Sequence, residues 1–291
     1  MKKSIAFFYF ILSILILSPF VTAQTGAGFR GQSLNGSTGL FSIPTGRIGW
    51  EKNGSLGLDL GYRVINNNDR GMTHIPAITA SLMGWVELSG AFDFQPNIYN
   101  HYDYNENYDA IIGFKIKLPT NSENSTAVAI GTNLQHINFL YEDRAEQHNL
   151  GYNAYQPYLA ITYTGKFFAM TSETTVVFGK TFYSGRSNNS DIDFGMGFDL
   201  ILFPDVFGNA VHWIIDFANF SYSDNAWPNN VVYGSGPAQY RGILNCGFRI
   251  DLSSFSAFNK HKFLLDFIFV DLFDHVGRSF SFGAVFGFSS S

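Results

Sequence analysis

The chain has 291 residues, of which 46% are hydrophobic and 17% aromatic, but only 14% are charged, against about 25% in ordinary soluble domains. After the first two dozen residues no apolar run approaches the roughly 20 residues that a helical membrane span needs, and 31 Phe with 15 Tyr exclude a disordered chain. An all-β protein remains, either a water-soluble sandwich or a barrel whose outside meets lipid.

In chain order, Lys2 and Lys3 form a basic start, Ile5 to Leu17 an apolar stretch, and Val21-Thr22-Ala23 a small-residue cleavage pattern. Residues 1–23 therefore read as a signal peptide cleaved after Ala23, which predicts export to the cell outer membrane. No Cys follows the cleavage pattern, so a lipoprotein anchor is not expected. Without Lys2 and Lys3, 16 basic residues face 23 acidic ones, a formal charge of −7, which argues against nucleic acid as a partner. The single Cys246 cannot form an intrachain disulfide, so a closed hydrogen-bonded barrel has to supply stability. Residues 24–52, rich in glycine from Gly26 to Gly49, read as an extended periplasmic or plug-like segment, kinked at Pro44, with Arg47 available to an inward carboxylate.

Residues 53–291 read as the barrel. Period-two alternation gives about twelve strands, with cores at 53–65, 72–83, 84–95, 108–119, 126–139, 155–165, 167–183, 191–203, 211–223, 238–252, 261–272 and 278–288. Ten to fourteen strands also fit, because 72–83 is weak and 26–50 could supply another. In the first strand Leu56, Leu58, Leu60, Tyr62 and Val64 share one face, and Gly57, Asp59, Gly61 and Arg63 the other. The last strand sets Phe280, Phe282, Phe286 and Phe288 against Ser279, Ser281, Gly283 and Gly287. It resembles the carboxy-terminal assembly strand of outer-membrane barrels, with Ser289, Ser290 and Ser291 in place of a terminal aromatic. Alternation alone fits a sandwich as well as a barrel. Connections discriminate better: tight reversals at Met83-Gly84 and Gly165-Lys166 interleave with long polar segments at 96–107, 140–154 and 224–237, the outer-membrane pattern of short periplasmic turns and longer outward loops. Tyr99, Tyr102, Tyr104, Tyr108, Tyr141, Tyr152, Tyr155, Tyr183, Tyr222 and Trp227 fall near the long-loop ends, where an aromatic girdle belongs. The predicted fold is all-β, a closed antiparallel transmembrane β-barrel.

At Thr38-Gly39-Leu40-Phe41-Ser42-Ile43-Pro44-Thr45-Gly46-Arg47, followed by Gly54-Ser55-Leu56-Gly57-Leu58, the chain resembles the opening of the YjbH-like outer-membrane proteins. The likeness runs loosely through Trp85-Val86-Glu87-Leu88-Ser89-Gly90, about a quarter of the chain. It implies an outer-membrane barrel associated with exopolysaccharide production and export.

The predicted inward faces carry Asp59, Arg63, Glu87, Asp93, Lys115, Lys117, Asp193, Asp199, Arg241, Arg249 and Asp251, with Asp216 and Asp266 on the same parity. Mixed charge inside a barrel suits a hydrated path for polar solutes, and equally a salt-bridged plug that fills a narrow lumen. The chain is therefore read as a porin-like channel or export-associated protein for polar solutes or polysaccharide. The alternatives are an anchor or adhesin barrel whose long loops bind a surface partner and, behind it, a barrel phospholipase. None of the seven histidines sits in a catalytic pattern, so no enzyme, no cofactor and no metal site is expected. His136, Asp143 and His148 in one polar segment read as solvated. His212 and Asp216, four apart on one strand face, stand roughly 13 Å apart and cannot touch. Outer-membrane lipids and the barrel-assembly machinery are the expected partners. By this reading Arg249→Ala alters selectivity with little loss of assembly.

Overall fold

In the computed structural model the described residues are 30–51, 56–66, 72–95, 107–120, 125–138, 140–143, 146–149, 152–167, 170–184, 192–219, 243–255, 261–273 and 278–290. The expected signal peptide, the Tyr- and Trp-bearing loops 96–106 and 220–242, and the predicted lumen residue Arg241 lie outside them.

Side chains of successive strand residues point to opposite faces, and here the large apolar ones point out. Leu60 and Tyr62 are 46% and 48% exposed, while Asp59 and Arg63 on either side of them are 0% and 5% exposed. Leu88, Ile112, Ile130, Phe248, Phe269, Phe282 and Phe286 repeat the pattern around the molecule. A water-soluble sandwich would show the opposite sign, so the exposed belt excludes it and requires an apolar solvent.

Twelve long antiparallel strands close on themselves. They are β1 (Leu56–Asn66), β2 (Met72–Leu82), β3 (Val86–Gln95), β4 (Asn107–Leu118), β5 (Thr126–Asn138), β8 (Tyr152–Phe167), β9 (Met170–Gly179), β11 (Asp193–Ile201), β12 (Val211–Asn219), β13 (Ile243–Asp251), β14 (Lys262–Val270) and β15 (Ser279–Ser289). Each pairs with the next, β5 with β8 and β9 with β11, and β1 pairs with β15 from Gly57↔Ser289 to Asn66↔Phe280. Closure leaves no unpaired edge, which lipid demands.

Among the described residues three short strands complete the inventory: β6 (Leu140–Asp143), β7 (Glu146–Asn149) and β10 (Phe182–Tyr183). The 140–154 segment, read as a polar loop, thus contains a hairpin, β6 with β7. β10 continues β9 in the same register on β8, Tyr158↔Gly179 and then Phe182↔Tyr155. The interruption falls opposite Pro157, which has no N–H to give. Pro76 has the same effect on β2, whose pairing with β3 passes from Ala77↔Ala91 to His74↔Phe94 without the two pairs between. That gap is why 72–83 reads weakly as a strand. The link 202–210 contains one helical turn, α1 (Pro204–Phe207).

Outside, ring contacts cross from β14 to β15, with Phe267 and Phe282 centroids 5.1 Å apart and Phe269 and Phe280 5.5 Å apart. Phe282→Arg is expected to cost about 2–4 kcal/mol because it places a charge on the apolar belt, where Phe282 is 42% exposed. Urea unfolding in lipid vesicles measures this, and an unchanged midpoint would reverse the assignment of faces.

Candidate functional site

The barrel interior is filled by residues 31–49, all of them buried. Glycine and small polar residues let this segment fold into stacked turns. The first is closed by Ser33 N donating to Ser37 O (2.8 Å), with Gly36 at φ 80°. A side chain on Gly36 would be strained in that left-handed region and would meet Gly90 O at 2.5 Å. In the second, Leu40 N donates to Ile43 O (3.0 Å) and Gly39 bridges Pro44, so the kinked proline closes a loop. Leu34, Leu40, Phe41 and Ile43 then pack with inward Ile65, Ile75, Ile111, Val177, Ile214 and Ile268 as an apolar core within the lumen. A cavity of about 10 Å³ beside Gln32, Gly61, Arg63 and Gly283 has room for one water.

The remaining contacts between plug and wall are polar. Asp216 on β12 accepts from Phe41 N (2.8 Å), Ser42 N (2.6 Å) and Ser42 Oγ (2.9 Å), and from Asn245 Nδ2 of the wall (2.8 Å). Glu87 on β3 accepts from Thr38 N (2.8 Å), Thr38 Oγ1 (2.6 Å) and Gly49 N (3.2 Å), and pairs with Lys115 of β4 at 2.9 Å. Gly46 N donates to Thr162 Oγ1 (2.9 Å), Asn35 Nδ2 to Asn133 Oδ1 (3.0 Å), and Gln32 Nε2 to Thr79 Oγ1 (2.7 Å). Arg63 lies over the Phe41 ring at 4.8 Å and donates to Gln32 O (3.1 Å).

An ionic cluster ties the two ends of the plug together near the short-turn rim. Arg30 meets Glu173 of β9 through two bonds, Nε to Oε2 (3.1 Å) and Nη2 to Oε1 (2.7 Å). Arg47 Nε lies 3.3 Å from the same carboxylate, and its Nη2 donates to Thr164 Oγ1 (2.6 Å). Glu51 stands 3.6 Å from Arg30, 3.8 Å from Arg47 and 3.4 Å from Lys117. Burial pushes the Glu51 carboxyl up, but these three cations outweigh it and hold the group below the ordinary value of 4.5. With the folded-state value depressed, the stabilisation is complete above pH 4.5 and is lost as pH falls through the folded value. Acidification is therefore expected to lower the hydrogen-exchange protection of residues 46–51, taken relative to the intrinsic amide rate at each pH, and unchanged protection would remove Glu51 from the latch.

The wall also neutralises itself. Asp266 on β14 accepts from Arg249 Nε (2.8 Å) and Nη2 (3.1 Å) on one side and Arg63 Nη2 (2.9 Å) on the other. Lys262 Nζ lies 2.7 Å from Asp59, which also accepts from Trp50 Nε1 (2.7 Å). His212 places Nδ1 2.6 Å from Asp199 Oδ1 and Nε2 2.9 Å from Asn209 O. Both ring nitrogens face acceptors, the arrangement of a structural imidazolium rather than of a base poised on a hydroxyl.

Of the residues singled out as inward, Asp59, Arg63, Glu87, Lys115, Lys117, Asp193, Asp199, Arg249 and Asp251 are at most 9% exposed. Asp93 is half-buried directly opposite Asp109. They do not form one site: Asp193 bonds Gln156 Nε2 (2.9 Å), whereas Asp251 caps a helical turn through Ser253 N (2.9 Å). The expectation for Arg249 changes. At 1% exposure, bonded to Asp266 and 3.4 Å from Gly39 O, it holds the wall together, and its removal costs stability before it alters selectivity. Sequence reasoning passed over Arg30, Glu51, Asp109, Glu173 and Lys262. Strand parity carried a signal for Lys262, two residues before Leu264 and four before Asp266 on the inner face of β14.

An even number of antiparallel strands, an apolar belt and connections alternating between short and long define a transmembrane barrel of the outer-membrane type. No protein-family model and no curated protein matches the chain. Among solved structures it is similar to the outer membrane protein Omp33 of Acinetobacter baumannii (12% identity, 80% of this chain and 98% of that one, TM-score 0.41). It is also similar to an outer membrane channel of Pseudomonas putida (11%, 86% and 97%, TM-score 0.43) and to the beta domain of the Bordetella autotransporter Brka (10%, 82% and 100%, TM-score 0.46). Each is a likeness of barrel outline.

Proposed function

We propose that this outer-membrane barrel is a gated channel for small polar solutes, closed at rest by its own residues 30–51. The observation that carries the reading is the polar character of the plug's attachment. Glu87, Glu173 and Asp216 hold it through backbone amides, hydroxyls and guanidinium groups, all of which water can replace when the segment shifts. The residues that resemble the YjbH-like opening, Thr38 to Arg47, are the ones that fill the lumen, which supports an export-associated role for the same movement. The reading assigns the chain no catalytic step.

A second reading has its own support: the apolar core around Leu40, Phe41 and Ile43 favours a permanently sealed barrel that anchors outward loops and the β6–β7 hairpin. A disulfide separates the two. A Cβ on Gly195 would stand 3.6 Å from Ile43 Cβ, within the span that a disulfide bridges. In a Cys246→Ser background, Ile43→Cys with Gly195→Cys is expected to show stepwise conductance in planar bilayers when reduced and none when oxidised. A protein that is silent in both states would support the anchor.

A further inference from the structure

We propose that the opened lumen conducts cations in preference to anions, and that the plug is the counter-charge of an acidic wall. This rests on the gated-channel reading and adds the class of solute. Among the described strand residues, nine carboxylates are buried against five Lys and Arg side chains and His212. The imbalance is localised. On β13, β14, β15 and β1 the pairs Arg249–Asp266–Arg63 and Lys262–Asp59 neutralise one another without the plug. On β9, β11 and β12 Asp199 has wall partners of its own, His212 at 2.6 Å and Arg249 at 3.8 Å, whereas Glu173 and Asp216 pair with no wall cation among the described residues.

Glu173 and Asp199 are directly opposed in the β9–β11 ladder, and Asp216 on β12 is opposed to Gly197, two residues from Asp199 on β11. Both cations that pair with Glu173, Arg30 and Arg47, belong to the plug. So do three of the four hydrogen bonds to Asp216 described above. When the plug withdraws, Asp199 keeps His212, while Glu173 loses Arg30 and Arg47 and Asp216 loses its three plug donors. Water and mobile cations have to replace them, which raises cation concentration along the path.

A second observation stands apart from the plug. Asp93 and Asp109 face each other across β3 and β4 toward the long-loop rim, where Gln135 Nε2 donates to Asp109 (3.3 Å) and no Lys or Arg pairs with either carboxylate among the described residues. Two carboxyls directly opposed with no paired cation have to share a proton or draw a mobile cation between them. A pore that draws cations to its mouth gives that arrangement a use.

The test is the reversal potential of the full chain in a planar bilayer under a tenfold KCl gradient. The dilute side is held near or below about 0.1 M, where fixed charges act over roughly 10 Å. The expected potential has the sign of potassium preference. Glu173→Gln with Asp216→Asn should move it toward zero, and Asp93→Asn with Asp109→Asn should do so independently, in a variant relieved of like-charge repulsion. Asp205→Asn, exposed on α1 outside the lumen, should leave it unchanged. Heat-modifiable migration on gels reports whether each variant is a closed barrel. If the first pair fails to assemble, the mouth pair and the wild-type sign still decide. Steps that are chloride-preferring or unselective, or that keep their reversal potential in both double variants, overturn the inference while leaving the gated channel standing. A reduced protein that never conducts overturns both.

Discussion

Asp266→Ala is expected to cost about 3–5 kcal/mol and to abolish the heat-resistant barrel on gels. Its carboxylate is 1% exposed and lies between Arg63 and Arg249, themselves 5% and 1% exposed. Removing it leaves two buried guanidinium groups facing one another with, among the described residues, the carbonyls of Gln32 and Gly39 and the more distant Asp199 carboxylate, 3.8 Å from Arg249, as acceptors. Breaking a buried pair from one side leaves an uncompensated charge, which is far worse than losing the pair as a whole. The order of effects follows. Arg249→Ala should cost less than Asp266→Ala, because Arg63 still neutralises Asp266, and the double change to alanine should cost less than the sum of the singles. Urea unfolding in vesicles gives all three values. Additive costs, or an Asp266→Ala barrel as stable as wild type, would show that solvent reaches these groups.

Asp216→Ala should act on the plug rather than on the barrel. Three plug donors, two of them backbone amides, converge on this one carboxylate. A hydrogen bond to a charged group contributes about 1.5–3 kcal/mol, and an amide left buried without its acceptor costs about 1–3 kcal/mol. Even the low end amounts to about 3 kcal/mol, roughly two orders of magnitude in the ratio of seated to released plug. Amide exchange at Phe41 and Ser42 should accelerate by about that factor, and the fraction of time spent conducting should rise with it. Asp216→Asn keeps one carbonyl acceptor, so its effect on exchange should be smaller. If Asp216→Ala leaves exchange at Phe41 and Ser42 unchanged, the apolar core of Leu40, Phe41 and Ile43 holds the plug by itself, and the sealed anchor becomes the better reading.

The parts of the fold that were legible in the chain obey a local rule. Period two sorted Asp59 and Arg63 from Leu60 and Tyr62 because the pleat forces it, whatever lies on either side. Strands failed to read cleanly where a second rule intruded. In 72–83 that rule is Pro76, which interrupts the ladder of β2 with β3; β14 read as a strand, but it carries Leu264 and Ile268 inward, so both of its faces are apolar. Those inward residues look misplaced until the plug is there to receive them. The ionic wall was legible as a set of inward charges but not as pairs. Lys262 and Asp59 lie on β14 and β1, with β15 between them, and Arg30 and Glu173 are 143 residues apart.

The opening composition, 14% charged beside 17% aromatic, is now accounted for by place: the outer belt excludes charge, and the buried charge is concentrated in the lumen. The sequence by itself determined that there would be a barrel of about twelve strands and which face of most of them turns inward, because those follow from side-chain alternation and the lengths of connections. Only the tertiary structure decided that the lumen is occupied, by which residues, and which charges depend on the occupant. Partner choice across a closed barrel is set by strand stagger and by the path of a segment that belongs to no strand, and neither leaves a period in the chain.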